Sequence, residues 1–357
     1  LWSEESRGRH REFRRRMRAD GEPQPAIKRV RPPAVEIVDF PDSEHIDGAI
    51  AGQAISAMRR LVEKKEPFFL AAGFVRPHLP FVVPRKYWEL YDRGQIHLAD
   101  GAMLPEGAPQ FAMNTMYELR DYMDYLGAPD PRQGSLSDAQ QRELKHGYYA
   151  AVSFIDAQVG RLLEELEALG IAGETIVVLW SDHGWKLGEH NSWCKQTNYE
   201  VDTRVPLILR VPGAKGNGER SLALVELLDL YPTLCEVAGL SVPAEVEGKS
   251  FVPLLGQPSA EHKAAAFSQF RRRSGGKDLM GYAMRTSRFR YIEWIDRRTR
   301  GTVARELYDH AQDPGESVNI VARPEQERLV GELGKQMWEI LKAPAELGRG
   351  EQDARPK

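Results

Sequence analysis

The chain has 357 residues and a net charge of −3, from 49 Lys and Arg against 52 Asp and Glu, and it contains two cysteines. The charge balance argues against a protein whose whole surface binds nucleic acid, and two cysteines exclude a disulfide scaffold. No apolar run reaches the ~18 residues that a transmembrane helix needs, so we expect no membrane span.

The first 33 residues are predicted to form an irregular basic segment. Up to position 31 they hold ten Lys and Arg residues against five acidic residues, a net charge of +5. One interpretation is a basic arm for an anionic partner. Because this run carries almost no aromatic side chains that could stack on bases, we favour the other interpretation, a solvated irregular segment left where a longer chain was cut.

From residue 34 onward, apolar runs alternate with helical periodicity. We predict strands at 35–40, 68–75, 175–180 and 205–211, and helices at 42–65, 137–170 and 222–238. Ser137 and Gln140 form a capping-box pattern at the start of the long helix, and Gly170 is placed to end it. This order predicts an α/β fold with a largely parallel sheet flanked by helices.

After about residue 264 the pattern changes to short hairpin-like strands, followed by a helix from Pro324. It indicates a small C-terminal subdomain, an antiparallel β-sheet plus one helix. We therefore divide the chain into the basic segment 1–33, an α/β domain at 34–260, the α+β subdomain at 264–345 and a tail at 346–357.

Asp182 and His183 directly follow the predicted strand 175–180, at the end where ligands bind in open α/β sheets. Both side chains could turn toward one metal ion as the chain bends. A carboxylate suits hard cations and an imidazole suits zinc, so the pair alone leaves the ion open. The structural alternative is that Asp182 caps a turn and His183 is a buried, hydrogen-bonded histidine.

Two further polar residues stand where a site at the strand ends would gather them. His78 comes after the predicted strand 68–75, between two prolines, and Lys195 comes shortly after the Asp-His turn. A histidine and a lysine beside a metal would bind a tetrahedral oxyanion, and the histidine could protonate a departing alkoxide. The alternatives are a structural loop histidine and a solvated lysine. Cys194 and Cys235 lie in no zinc or redox spacing and are predicted to be packed thiols.

Several of these segments stand in the order found in sulfatases, and the chain resembles that family, particularly its iduronate-2-sulfatase branch. The resemblance spans roughly residues 35–342, and it is carried by residues 74–81, 180–190, 193–195, 204–208, 229–234, 281–286 and 306–309. It implies an alkaline-phosphatase-like fold and a periplasmic or secreted sulfuric ester hydrolase that acts on a sulfated carbohydrate, without a nucleic-acid partner.

The resemblance also implies a set of roles. Asp182 and His183 would be ligands of Ca²⁺, with Zn²⁺ or Mn²⁺ as alternatives. Lys195 and His78 would contact the sulfate and the formylglycine that sulfatases make from Cys or Ser. Trp185 and His190 would line the substrate site or support it, and we treat them as structural by default.

The chain departs from the family at the nucleophile. No Cys or Ser here begins a Cys/Ser-x-Pro-x-Arg motif, and the family's N-terminal pair of aspartates is absent. We expect the C-terminal portion of a sulfatase, inactive alone, with the missing N-terminal portion as its partner. Two alternatives stay open: a metal-dependent phosphodiester or phosphonate hydrolase of the same superfamily, and a non-catalytic protein that binds sulfated glycans.

Overall fold

The computed structural model describes residues 2–100 and 103–341, which fall into two units. The first unit comprises Leu1–Asp100, Thr115–Thr175 and Asn191–Cys194. The second comprises Gly101–Asn114, Ile176–His190 and Lys195–Lys357. Each unit is therefore assembled from three separate stretches of chain.

The described residues contain both helices and strands. The helices are α1 (Glu4–Ala19), α2 (Gln24–Arg29), α3 (Ile46–Glu63), α4 (Arg85–Trp88), α5 (Tyr117–Arg120), α6 (Asp138–Ala168), α7 (Glu200–Thr203), α8 (Leu230–Val237), α9 (Val252–Gly256) and α10 (Glu327–Ile340). The strands are β1 (Val35–Val38), β2 (Phe81–Pro84), β3 (Val177–Trp180), β4 (Lys186–Leu187), β5 (Trp193–Cys194), β6 (Leu207–Arg210), β7 (Ala265–Ser274), β8 (Lys277–Thr286), β9 (Phe289–Asp296) and β10 (Thr302–Asp309). None of the described helices is long and apolar enough to cross a membrane.

The prediction of an irregular segment at 1–33 is wrong, because α1 and α2 occupy most of it. Ser3 caps α1 by accepting a hydrogen bond from the backbone N of Ser6 at 3.1 Å. The hydroxyl and backbone N of Ser3 in turn donate to the carboxylate of Glu36. Arg and Glu, which make up ten of the 16 residues of α1, are good helix formers, and a high density of charge does not cancel that preference.

The core of the first unit joins two parallel strands to a long helix. β1 pairs with β2 in parallel, with Val35 opposite Phe81. The capping box of Ser137 and Gln140 is present at the start of α6. Gly147 does not interrupt α6 but allows it to approach β2, since an added Cβ there would lie 2.9 Å from Phe81.

The strand predicted at 68–75 does not form. Along these residues the side chains alternate between half-buried and exposed, as in an extended chain, and Phe69 is 80% exposed. No strand in the described residues pairs with this segment. An apolar run predicts an extended conformation, but a strand also needs a partner for its backbone hydrogen bonds.

In the second unit, β3 and β6 pair antiparallel, with Trp180 opposite Leu207. The strands predicted at 175–180 and 205–211 are therefore not parallel to each other, as the expected largely parallel sheet would require. The helix predicted at 222–238 is shorter, since only α8 and a 3₁₀ turn before it are helical. The C-terminal prediction is confirmed: β7 to β10 form an antiparallel sheet in the order β10-β9-β8-β7, and α10 packs on it through Leu333 and Met337.

Candidate active site

The chain turns sharply after β3, and Gly184 makes the turn possible. Its backbone N donates to the carbonyl of Asp202 at 2.8 Å. A Cβ at Gly184 would lie 2.0 Å from the carbonyl oxygen of Val201, so no side chain fits there. The hydroxyl of Ser181 donates to the carbonyl of His183 at 2.8 Å and closes the turn from the other side.

The turn places Asp182 and His183 side by side. Oδ2 of Asp182 lies 3.5 Å from Nε2 of His183, and the Asp182 side chain is 83% exposed. Nδ1 of His183 is 2.8 Å from the carbonyl of Gly184. Because a carbonyl only accepts, Nδ1 carries the hydrogen and the lone pair is on Nε2, on the side of the carboxylate.

This pair has the chemistry of two metal ligands. A neutral imidazole nitrogen and a carboxylate oxygen lie close enough to bind one ion, and the Nδ1 hydrogen bond is the support that a metal-binding histidine usually has. A carboxylate oxygen suits hard cations and an imidazole nitrogen suits zinc, so Asp182 and His183 fit as two ligands of a divalent cation without selecting which one.

Lys195 and Trp185 lie in the same unit as this pair and are in contact with each other. Nζ of Lys195 lies 4.8 Å from the centre of the Trp185 ring, within cation–π range. The Trp185 ring is stacked at 26° to the His183 ring, with centroids 6.3 Å apart. The amide of Asn114 donates to the carbonyl of Lys195 at 2.6 Å and fixes its backbone. Lys195 and His183 are therefore both neighbours of the Trp185 ring.

A buried ion pair connects the two segments that carry these residues. Lys186 is fully buried, and its Nζ lies 3.1 Å from Oδ1 of Asp202, without the alignment of a hydrogen bond. The hydroxyl and backbone N of Thr197 donate to Oδ2 of the same aspartate. The sequence pattern did not reveal this pair, because Lys186 and Asp202 are far apart in sequence and neither belongs to a ligand motif.

His190 has the contacts of a structural residue. It is 3% exposed, its Nε2 lies 2.8 Å from the carbonyl of Gly315, and its ring meets the edge of Tyr199 at 4.7 Å. Burial lowers the pKa of His190, and the charge of Lys186 lowers it further. A neutral, buried imidazole with these neighbours contributes to packing and hydrogen bonding in the protein interior.

His78 lies in the first unit, held on both ring nitrogens. Nε2 is 2.9 Å from Oε1 of Glu118 on α5, and Nδ1 is 2.7 Å from the carbonyl of Leu79. The imidazole can donate to both acceptors only when it is protonated. The carboxylate of Asp47, on α3, accepts from the backbone N of Val75 and fixes the start of the loop. The sequence pattern missed Glu118, which lies 40 positions from His78 in a region without periodicity.

A second cluster of potential ligands lies in the second unit. Glu200, His310 and Glu316 bring one ligand atom each to within 4.8 Å of one another. Arg290, however, is buried among them and donates to both Glu316 and Glu200. Burial raises the pKa of Glu316, but Arg290 and His310 outweigh it and bring the pKa to about 2. The guanidinium already supplies the positive charge, so this cluster is an internal ion-pair network.

The predicted packed thiols are confirmed, since Cys194 and Cys235 are both buried and are not joined in a disulfide.

Comparison with protein families gives two matches that together cover most of the chain. The model for sulfatases matches residues 15–240, and the model for the C-terminal part of N-sulphoglucosamine sulphohydrolase matches residues 188–343.

Among individual proteins, iduronate 2-sulfatase of Homo sapiens is 34% identical over 321 residues, which are 73% of this chain and 58% of the human protein. An arylsulfatase of Clostridium perfringens is 27% identical over 299 residues, 83% of this chain and 58% of that protein. The chain thus spans about 58% of the length of these relatives.

Two solved structures show the same fold. A protein solved in complex with its substrate D-glucosamine-2-N,6-O-disulfate has a TM-score of 0.69 at 23% identity, over 84% of this chain and 69% of its own. The phosphonate monoester hydrolase of Silicibacter pomeroyi has a TM-score of 0.71 at 22% identity, over 85% of this chain and 61% of its own. The predicted α/β fold of the alkaline-phosphatase type is confirmed by these likenesses. With a family match over more than half of its length, the chain belongs to the sulfatase family.

Proposed function

We propose that the protein is a sulfuric ester hydrolase that acts on a sulfated carbohydrate, and that this chain supplies part of its active site. The observation that carries the proposal is the pairing of Asp182 and His183 at the end of β3 in a chain of the sulfatase family. The disulfated sugar bound by one protein of the same fold supports the choice of substrate class.

In this proposal Asp182 and His183 hold a divalent cation, Ca²⁺ by family resemblance, with Zn²⁺ or Mn²⁺ as alternatives. The ion, when bound, supplies positive charge that stabilises the anionic transition state of sulfate transfer. The remaining ligands come from residues other than this pair.

Two residues of the chain, Lys195 and His78, serve the sulfate ester. Lys195 neutralises a sulfate oxygen, and Trp185 keeps its ammonium group in place. Hydrolysis breaks the bond between sulfur and the sugar oxygen, and that oxygen takes a proton as it leaves. His78 is assigned the donation of this proton, for which its Nε2 exchanges the contact with Glu118 for one with the leaving oxygen. Trp185 also forms a wall of the substrate site, whereas His190 is assigned to its support because its ring contacts the protein interior.

The nucleophile comes from outside these 357 residues. No Cys/Ser-x-Pro-x-Arg motif occurs in the chain, so the formylglycine of the family, which would supply the attacking oxygen, has no residue here to arise from. The β3–β6 pair supports a completing segment. An antiparallel pair normally packs at least one face on a core, yet apolar side chains are exposed on both faces here. Leu179 and Ile208, which are opposite each other on one face, are 36% and 61% exposed, and Trp180 on the other face is 45% exposed. Following the family resemblance, we place the whole protein in the periplasm or outside the cell.

The test is complementation. The chain is produced alone and together with a sulfatase N-terminal segment that carries formylglycine, and release of sulfate from an aryl sulfate and from sulfated disaccharides is measured. We expect no release by the chain alone and release by the pair. In the active pair, Asp182→Ala should abolish turnover, and Lys195→Met should lower kcat by about 10²–10³-fold, the usual cost of losing one charge-stabilising group. Lys215→Met, an exposed lysine, is the matched control. Normal rates for Asp182→Ala would refute the assignment.

A second candidate has a specific observation in its favour, the structural likeness to the phosphonate monoester hydrolase. If the complemented protein hydrolyses an aryl phosphonate or phosphodiester faster than an aryl sulfate, this candidate replaces the sulfatase. A non-catalytic protein would bind sulfated glycans but release no sulfate or phosphate in any combination.

A further inference from the structure

A row of arginines runs along one face of α1. Arg7, Arg11, Arg14 and Arg18 follow one another at spacings of four, three and four residues. These spacings keep successive side chains on the same side of an α-helix. From Arg7 to Arg18 the row is about 16 Å long, at ~1.5 Å per residue.

Three of these four side chains have no acidic partner. Arg7 is paired with Glu4 at 2.7 Å. Among the other arginines of α1, Arg9 is paired with Glu5, and Arg15 and Arg16 share Glu12. No ion pair or side-chain hydrogen bond to Arg11, Arg14 or Arg18 is present within residues 2–100 and 103–341, and Nε of Arg14 is buried without a hydrogen-bond partner. Three positive charges within one and a half to two helical turns repel one another, so stability does not explain the row.

The row is presented on a fixed support. The indole of Trp2 donates to the carbonyl of Pro33 at 3.0 Å, and Nε2 of His10 lies 2.8 Å from the carbonyl of Val30. Together with the cap at Ser3, these contacts hold α1 against the following segment along its buried side. A ligand that binds the arginines therefore meets an ordered helix, and little conformational entropy is lost on binding.

We propose that Arg11, Arg14 and Arg18 form a docking surface for a sulfated polysaccharide, separate from the residues that hydrolyse the ester. The guanidinium group matches the oxygens of a sulfate with two parallel hydrogen bonds. The choice of a sulfated chain over other anions rests on the proposed function.

The composition of the helix argues against the other polyanions. The apolar residues of α1, Phe13 and Met17, follow the side of His10 and not the arginine row, so the row has no apolar flank to enter a membrane. The row also contains no aromatic side chain on which a base could stack, as single-stranded nucleic acid would need.

The test is binding of the 357-residue chain to immobilised heparin, as a highly sulfated probe, over a range of salt concentrations. The variant Arg11→Gln/Arg14→Gln/Arg18→Gln removes three charges and keeps good helix formers. The matched control is Arg60→Gln/Lys64→Gln/Lys65→Gln, which removes three exposed charges that alternate with Glu63 and Glu66. Circular dichroism establishes that both variants are folded.

We expect the α1 variant to bind heparin at least tenfold more weakly at ~0.1 M salt, with a smaller salt dependence, because fewer counterions are released. The control should bind like the unchanged chain. Equal binding by the α1 variant and the unchanged chain overturns the proposal, as does equally tight binding to desulfated heparin, to DNA or to anionic phospholipid vesicles. Sulfate release plays no part in this readout, so a failure here is distinct from a failure of the proposed hydrolase.

Discussion

The ammonium group of Lys186 lies 3.1 Å from a carboxylate oxygen of Asp202, and both side chains are almost completely shielded from water. This pair joins the turn that carries Asp182 and His183 to the segment that follows Lys195. The same aspartate accepts the amide of Gly184 through its backbone carbonyl, so one residue holds the turn by its side chain and by its main chain.

Breaking this ion pair should destabilise the protein unequally from its two sides. Asp202→Asn leaves a buried ammonium without its counter-charge and should lower the free energy of unfolding by about 3–5 kcal/mol. Lys186→Met should cost less, because Asp202 keeps the two donors of Thr197. Urea denaturation measures both. The exposed pair of Lys335 and Glu339 is the control, and Lys335→Met should change little. A Lys186→Met variant less stable than Asp202→Asn would contradict this account.

Gly184 should be intolerant of any side chain. Gly184→Ala places a Cβ 2.0 Å from the carbonyl oxygen of Val201, so the turn must open or the backbone of α7 must move. We expect a loss of more than ~2 kcal/mol, in the range of overpacked sites. The control is Gly160→Ala in α6, where the added Cβ meets nothing within 4 Å and should stabilise by about 0.5–1 kcal/mol. The same denaturation curves report both, and a neutral Gly184→Ala would show that the turn is not as tight as described.

The Arg290–Glu316 network should make the protein sensitive to acid. The pKa of Glu316 is about 2 in the folded chain, below its usual value of 4.5. A carboxyl with a lowered pKa stabilises the fold above its unfolded pKa, and this contribution is lost as the pH falls from about 5 to about 2. Glu316→Gln should therefore lower stability at pH 7 and flatten its dependence on pH in that window. Thermal unfolding at several pH values tests this, with Glu325→Gln as an exposed control. An unchanged slope would contradict the assignment.

The Asp182–His183 pair should bind a calcium-like ion more tightly than an isolated surface carboxylate does. Terbium, which replaces calcium and emits light when an indole lies nearby, is the probe, and Trp185 is stacked beside His183. Asp182→Asn should weaken terbium binding at least tenfold. Asp138→Asn, which removes another exposed carboxylate, should leave it unchanged. An equal loss of terbium affinity in both variants would mean that the ion binds nonspecifically to surface carboxylates.

Local patterns in the sequence predicted the local parts of the fold. The cap of α6 at Ser137, its end at Gly170 with φ of 72°, and the hairpins after residue 264 all depend on residues close together in the chain. The segment 68–75 failed as a strand because pairing depends on a partner that an apolar run does not specify. The prediction that residues 1–33 are irregular was wrong because it gave more weight to their charge than to the helix propensity of Arg and Glu.

The same distinction applies to the site. Asp182 and His183 are neighbours in the sequence, and their motif was sufficient to find them. The partners that hold the candidate residues were not predicted, because Glu118 is 40 positions from His78 and Asp202 is 16 from Lys186. No spacing rule connects such residues, and only the folded backbone brings them together.

The division of the chain into interleaved stretches has a consequence for its synthesis. The first unit includes Asn191–Cys194, whereas residues of the second unit begin at Gly101. During synthesis, about ninety residues that belong partly to each unit therefore leave the ribosome before the first unit is complete. Neither unit can be separated from the other by a single cut in the chain. Folding of both units must wait for distant segments, which makes it slow and leaves apolar segments open to chaperones or to aggregation in the interval.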